Sequence, residues 1–174
     1  LGMQVTRDRK AHTLHLSQAL YARELAERYA GLLDGLTRRF DSPMDPTVDL
    51  TTEPRGGGPS HISDIYMTAV GGINWLANTT RSDLAFAASQ LSSHVADPGP
   101  AHCKALLRTL LYIRETESQP LTFKPSSKSL DVYVDASWAA KHSISGAVFY
   151  FLGCPISWLS RTQVAVSLSS AEAE

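Results

Sequence analysis

With 174 residues and 43% hydrophobic content, the chain can form one ordinary domain or two small ones with a buried core, which excludes a wholly disordered protein. A formal net charge of −1 and a pI near 6.7 exclude the strongly basic footprint of a dedicated nucleic-acid-binding domain. Two cysteines, Cys103 and Cys154, far apart and outside any Cys-x-x-Cys pattern, exclude a disulfide framework, suit a reducing compartment and read as small buried apolar residues.

The first eighteen residues, LGMQVTRDRKAHTLHLSQ, carry no signal-peptide apolar stretch and alternate apolar with polar on either side of a charged turn. Leu14 and Leu16 fall on one side, Thr13 and His15 on the other, and the pattern predicts a β-hairpin. From Ser17, a good N-cap, the spacing turns helical, with Tyr21, Leu25, Tyr29 and Leu32 on one face, and Gly31 or Gly35 ends the helix. Residues 1–40 also hold Arg7, Arg9, Lys10, Arg23, Arg28, Arg38 and Arg39 against Asp8, Glu24, Glu27 and Asp34. Such a surface can face phosphate, although a solvated helix face is the simpler reading. Residues 41–60, with four prolines and the triplet Gly56-Gly57-Gly58, predict an exposed, flexible linker. No Gly-Lys-Ser/Thr follows the triplet, so it is not a phosphate-binding loop.

Three helical stripes follow over residues 61–120. Ile62, Ile65, Tyr66, Ala69, Ile73 and Leu76 make the first, Leu84, Ala88, Leu91 and Val95 the second, and His102, Leu106, Tyr112 and Ile113 the third, with Pro100 suited to a first helical turn. After Pro120 the composition shifts to Val, Ile, Phe, Tyr and Trp broken by Gly and Pro, which predicts strands, and LGCP joins two of them as an antiparallel hairpin. No apolar run reaches the length of a membrane span. At the end, Ser169-x-x-Glu172 is a helix-start signature with no helix after it, and Leu1 is no initiator methionine, so both ends read as cuts.

Asp135, in VYVDASW, is the most informative acid. Buried unpaired in an apolar strand, a carboxylate costs several kcal/mol unless it meets a cation or hydrogen-bond donors. Glu174 is the natural second oxygen ligand should the cation be a hard divalent metal such as Mg²⁺. On the residues alone, a strand-end aspartate accepting from backbone or hydroxyl donors stands beside that reading and is slightly favoured. The scattered histidines offer no zinc-ligand spacing, no serine sits in a Gly-x-Ser-x-Gly elbow, and Trp138 and Trp158 read as core aromatics before base-stacking ones.

Several stretches in order then resemble the Pol polyprotein of copia-type long-terminal-repeat retrotransposons. LGMQVTRD with LHLSQALYARELAERY is similar to the hairpin and helix that follow the polymerase active site in that family, and DSPMDP to its Thr-Pro-Met linker. AVGGINWLANTTRSDLAF through LLYIRET is similar to the helical segment with Thr-Arg-Pro-Asp, here with Ser82 for the proline, and VYVDASWA, SISGAVFYFLGCPISWLSRTQ and VSLSSAEAE to the start of its ribonuclease H. The resemblance implies an α+β fold: a thumb-like hairpin and helix over 1–40, a linker over 41–60, a helical connection region over 61–120, and over 121–174 the truncated start of a ribonuclease H-like mixed β-sheet. It implies RNA-directed DNA synthesis and hydrolysis of RNA in RNA–DNA hybrids with two Mg²⁺ ions held by four carboxylates. Asp135 matches the first of these and Glu174 the second, with Glu172 beside it. No adjacent Asp pair of the polymerase type occurs, and Ser137 stands where the family often has Asp.

The implied partners are an RNA–DNA hybrid or template-primer and the remainder of the polyprotein, with no membrane, in the cytoplasm or nucleus. With two carboxylates of four, the chain alone is expected to be catalytically inert, and its last 50 residues to expose apolar surface. Two alternatives stand beside this: a non-enzymatic module gripping nucleic-acid backbone through the seven basic residues, and a genomic remnant without function.

Overall fold

The computed structural model describes residues 2–137 and 143–163. Two compact units divide the chain, and they do not follow chain order: one takes residues 17–120, the other residues 4–16 together with everything from 121 onward.

The first unit is helical. α1 (Ala19–Arg28) and the single turn α2 (Ala30–Leu33) are followed, after an irregular stretch, by α3 (Ser60–Ala77), a 3₁₀ turn (Ser82–Leu84) running into α4 (Ala85–Ser92), and α5 (Pro100–Glu115). The Ser17 hydroxyl accepts from the Ala19 N–H at 3.2 Å, one position ahead of the helix N-cap Gln18. Gly35, at φ 78°, lies just beyond the end of α2. The three predicted stripes become one core: Tyr66, Ile73 and Leu76 of α3 pack with Leu84 and Leu91, with Leu106, Leu110 and Ile113 of α5, and with Leu25 and Leu33. Cys103 lies in this core as a free buried thiol; burial raises its pKa, and the Ser63 hydroxyl partly offsets that.

Residues 41–59 form no helix or strand, as their prolines dictate. The expectation of an exposed, flexible linker is corrected, because Leu50 is only 1% exposed and Met44 is buried in the same core. Arg108 of α5 holds the stretch: its guanidinium sits 4.3 Å from the Phe40 ring centroid and donates to the Ser42 carbonyl and hydroxyl and to Asp45 Oδ2 at 3.2 Å. At the start of α5, a Cβ on Gly99 would stand 2.0 Å from the Pro54 carbonyl oxygen, so only glycine lets the stretch pass that close.

The second unit holds two three-stranded sheets. β1 (Gln4–Asp8) and β2 (Thr13–Ser17) flank a turn in which Asp8 Oδ1 accepts from the Lys10 and Ala11 N–H groups. β2 pairs antiparallel with β3 (Leu121–Phe123), placing Leu14 and Leu16 opposite Phe123 and Leu121 on one face, while His15 Nδ1 meets Thr122 Oγ1 at 2.9 Å on the other. β4 (Leu130–Ser137), β5 (Ile144–Phe151) and β6 (Cys154–Thr162) form an antiparallel meander with β5 in the middle. The pairings among the described residues are antiparallel, so the mixed sheet expected after residue 121 is not seen among them. LGCP does make the β5–β6 hairpin, its two loop residues Leu152 (φ 56°) and Gly153 (φ 77°) both left-handed, as a type I′ turn requires.

Candidate functional site

Asp135 lies on β4, and its Cα partner across β5 is Gly146. The expected burial of its carboxylate is corrected: Asp135 is exposed, with Oδ1 accepting the Ala136 N–H at 2.9 Å. β4 is an edge of the described meander, and its residues are largely exposed on both faces, Tyr133 at 66% and Val134 at 67%. No desolvation cost therefore forces a cation onto Asp135. What the sheet offers is space, because Gly146 brings no side chain beside the carboxylate, and a Cβ there would meet only backbone oxygens at 3.8 Å and 4.0 Å.

Strand alternation puts Asp131, Tyr133, Asp135 and Ser137 on the same face as Val148 and Tyr150. Asp131, Tyr133, Val148, Tyr150 and Gly153 line a shallow hollow of about 440 Å³ there, with the Tyr133 and Tyr150 rings edge to face at 5.7 Å. Trp158, half-buried on β6, pairs with Val148 on this face. Among the described residues no three His, Cys, Asp or Glu side chains gather to hold a metal, and Asp135 alone cannot assemble a centre. The predictions for Glu172 and Glu174, and that for Trp138, fall outside the described residues.

The seven basic residues do not form one patch within a unit. Arg7, Arg9 and Lys10 belong to the β1–β2 hairpin of one unit, and Arg23, Arg28, Arg38 and Arg39 to the helical one. Arg23 is bonded to Glu117 at 2.8 Å, which raises its pKa, Arg39 lies 3.3 Å from Glu115, and Arg38 rests over the Phe40 ring. Arg7, Arg9, Lys10 and Arg28 have no acid within ion-pair distance among the described residues.

The sequence reading gave no role to the residues of TTRSD. Arg81, 3% exposed, forks onto both oxygens of Asp83 and reaches across to the Thr116 carbonyl and hydroxyl at the end of α5. The Tyr112 hydroxyl donates to Asp83 Oδ2 at 3.0 Å, and Thr80 Oγ1 donates to buried Gln18 Oε1 at 2.8 Å. The motif is thus a clasp joining α1, the α3–α4 turn and α5. A fixed Arg-x-Asp spacing was the available signal, since a bidentate arginine needs a carboxylate within two residues or across a fold.

An antiparallel meander that carries an exposed strand aspartate with open space beside it, and a helical unit clasped by arginine, make this an α+β chain, and among the described residues no cluster of side chains forms a metal centre. The chain is 33% identical to the retrovirus-related Pol polyprotein from transposon TNT 1-94 of Nicotiana tabacum, in an alignment that covers 100% of this chain and 14% of that protein. It is 34% identical to the Pol polyprotein from transposon RE2 of Arabidopsis thaliana over 92% of this chain and 11% of that one. It belongs to the retrovirus-related Pol polyproteins of copia-type transposons. A further relative, the secreted RxLR effector protein 161 of Plasmopara viticola, is 41% identical over 114 residues, 63% of this chain and 80% of that protein. The chain therefore spans a small part of the Pol polyproteins it matches. No family model and no solved structure matches it.

Proposed function

We propose that this chain is the part of a copia-type Pol polyprotein that follows the polymerase site and runs into ribonuclease H, with residues 17–120 as thumb and connection and β4–β6 as the first strands of the nuclease. The parent copies RNA into DNA and hydrolyses the RNA strand of the hybrid. The observation that carries this reading is Asp135, exposed on the first strand of an antiparallel meander opposite a glycine that keeps the space beside it clear. A hard divalent ion such as Mg²⁺ would take oxygen ligands there, with Asp135 as one and Glu174 as the proposed second, and would supply activation of water. The chain's own contributions are the orientation of that carboxylate by the Ala136 N–H and a pair of tyrosine rings on the same face able to stack against a substrate.

In the full-length parent, Asp135→Asn should abolish Mg²⁺-dependent RNA cleavage by at least about 10²-fold while circular dichroism and melting stay unchanged. Wild-type cleavage in that variant would sink the assignment. The chain by itself should cut no hybrid.

A second reading, a backbone-binding module, is favoured by Arg7, Arg9 and Lys10 on one hairpin, none of them in an ion pair among the described residues. Binding of an RNA–DNA hybrid should then weaken with salt, and replacing all three by serine should flatten the log–log slope by roughly 2–3. Salt-independent or absent binding would remove it.

A further inference from the structure

His94, in the turn between α4 and α5, is 3% exposed, and neither of its ring nitrogens has a hydrogen-bond partner among the described residues. Its ring lies stacked on that of His102, centroids 3.9 Å apart and planes 18° from parallel. His102 is fully used. Its Nδ1 accepts the Gly99 N–H at 2.8 Å, so the proton must sit on Nε2, which donates to the Leu50 carbonyl at 3.0 Å. One face of the stack therefore carries an imidazole with no polar contacts, and the other carries the bond that ties residue 50 to α5.

We propose that the His94–His102 stack is an acid-sensitive latch on the 41–58 stretch: a proton taken up by His94 finds no acceptor in its pocket, expels the ring and breaks the His102–Leu50 bond. The charged surroundings agree. The residues that act on His94 are His102 of α5 and, from the stretch itself, Arg55, which opposes a second positive charge, and Asp49, which favours it. Burial first, then His102 and Arg55, hold the His94 pKa at about 4, below the ordinary 6.5. A base whose pKa is depressed by folding keeps its stabilising contribution above the unfolded value and loses it as pH falls, here between about 6.5 and 4.

Release has a structural consequence within the same unit. Met44, Val48 and Leu50 of the stretch face Ala105, Leu107 and Leu111 of α5 across a cavity of about 690 Å³, so freeing the stretch opens an apolar wall. The remaining acid-sensitive hold is the Asp45–Arg108 pair. Asp45 has its pKa lowered chiefly by the Thr47 hydroxyl and N–H.

The test is amide hydrogen exchange on the whole chain at pH 7.5 and 4.5, corrected for the intrinsic rate. Residues 41–58 should lose protection by roughly 50- to 100-fold while the interior of α3 keeps its own, and His94→Phe, which preserves a stacked ring, should hold the loss to less than about threefold. No loss in the wild type, or an equal loss in His94→Phe, overturns the proposal. Should His94→Phe not fold, NMR titration of the wild-type ring decides: protonation coincident with loss of protection supports the latch, and a ring titrating near 6.5 with the stretch still protected refutes it.

Discussion

Arg81 is the residue on which most of the helical unit's polar chemistry converges. Its guanidinium satisfies Asp83 and the end of α5 while almost wholly removed from water, so removing Asp83 leaves a buried charge without its counter-charge, whereas removing Arg81 leaves a void and strips the Thr116 carbonyl and hydroxyl of a donor. Arg81→Ala should therefore destabilise the chain by about 1–3 kcal/mol in urea denaturation, with the m-value unchanged, and a loss under about 0.5 kcal/mol would show the clasp to be incidental. Asp83→Asn, which removes the counter-charge of the buried guanidinium while keeping one acceptor oxygen, should destabilise the chain as well. Gly99→Ala tests packing with no charge involved: a methyl group 2.0 Å from a backbone oxygen forces α5 and the 41–58 stretch apart, at a cost of about 2 kcal/mol or more.

At the scale of elements, the β5–β6 hairpin places a leucine in the left-handed region, a conformation that costs a branched side chain roughly 1–2 kcal/mol. Leu152→Asn should raise stability by about 0.5–1 kcal/mol, read as a shift in the exchange protection of β5 and β6. Gly153→Ala should do the reverse, because its Cβ would also lie 2.3 Å from Ser126 Oγ. These turns and the three long helices were legible in the sequence for a plain reason: each has a periodic apolar stripe or a dipeptide with restricted torsions. The 41–58 stretch was not. Proline and glycine forbid regular structure, and they say nothing about whether Met44 and Leu50, two isolated apolar residues, are buried. Asp135 misled in a related way, since the valines beside it suggested a core strand, and both faces of β4 are instead largely open. His94 gave no periodic signal, standing two residues past its helix in a turn.

At the scale of the whole chain, the units differ in how completely they are closed. The helical unit buries Tyr66, Leu25, Ile73, Leu106 and Ile113 almost fully, whereas the sheet unit leaves Leu130, Val132, Tyr133, Val134, Phe151 and Ile156 exposed. Native-state exchange should therefore find the slowest amides in α3 and α5 and markedly faster ones in β4. The sheet unit is also built from chain segments on either side of the helical one, and Leu16 and Leu121 are direct partners in the β2–β3 ladder. That single register has a kinetic meaning. Closing an unfolded loop of that length costs about 4 kcal/mol of chain entropy, a barrier that largely vanishes once the intervening residues have already collapsed. The β2–β3 ladder should thus be the last part of the protein to form, and in pulse-labelled refolding the Thr122 amide should gain protection only after those of α3 and α5.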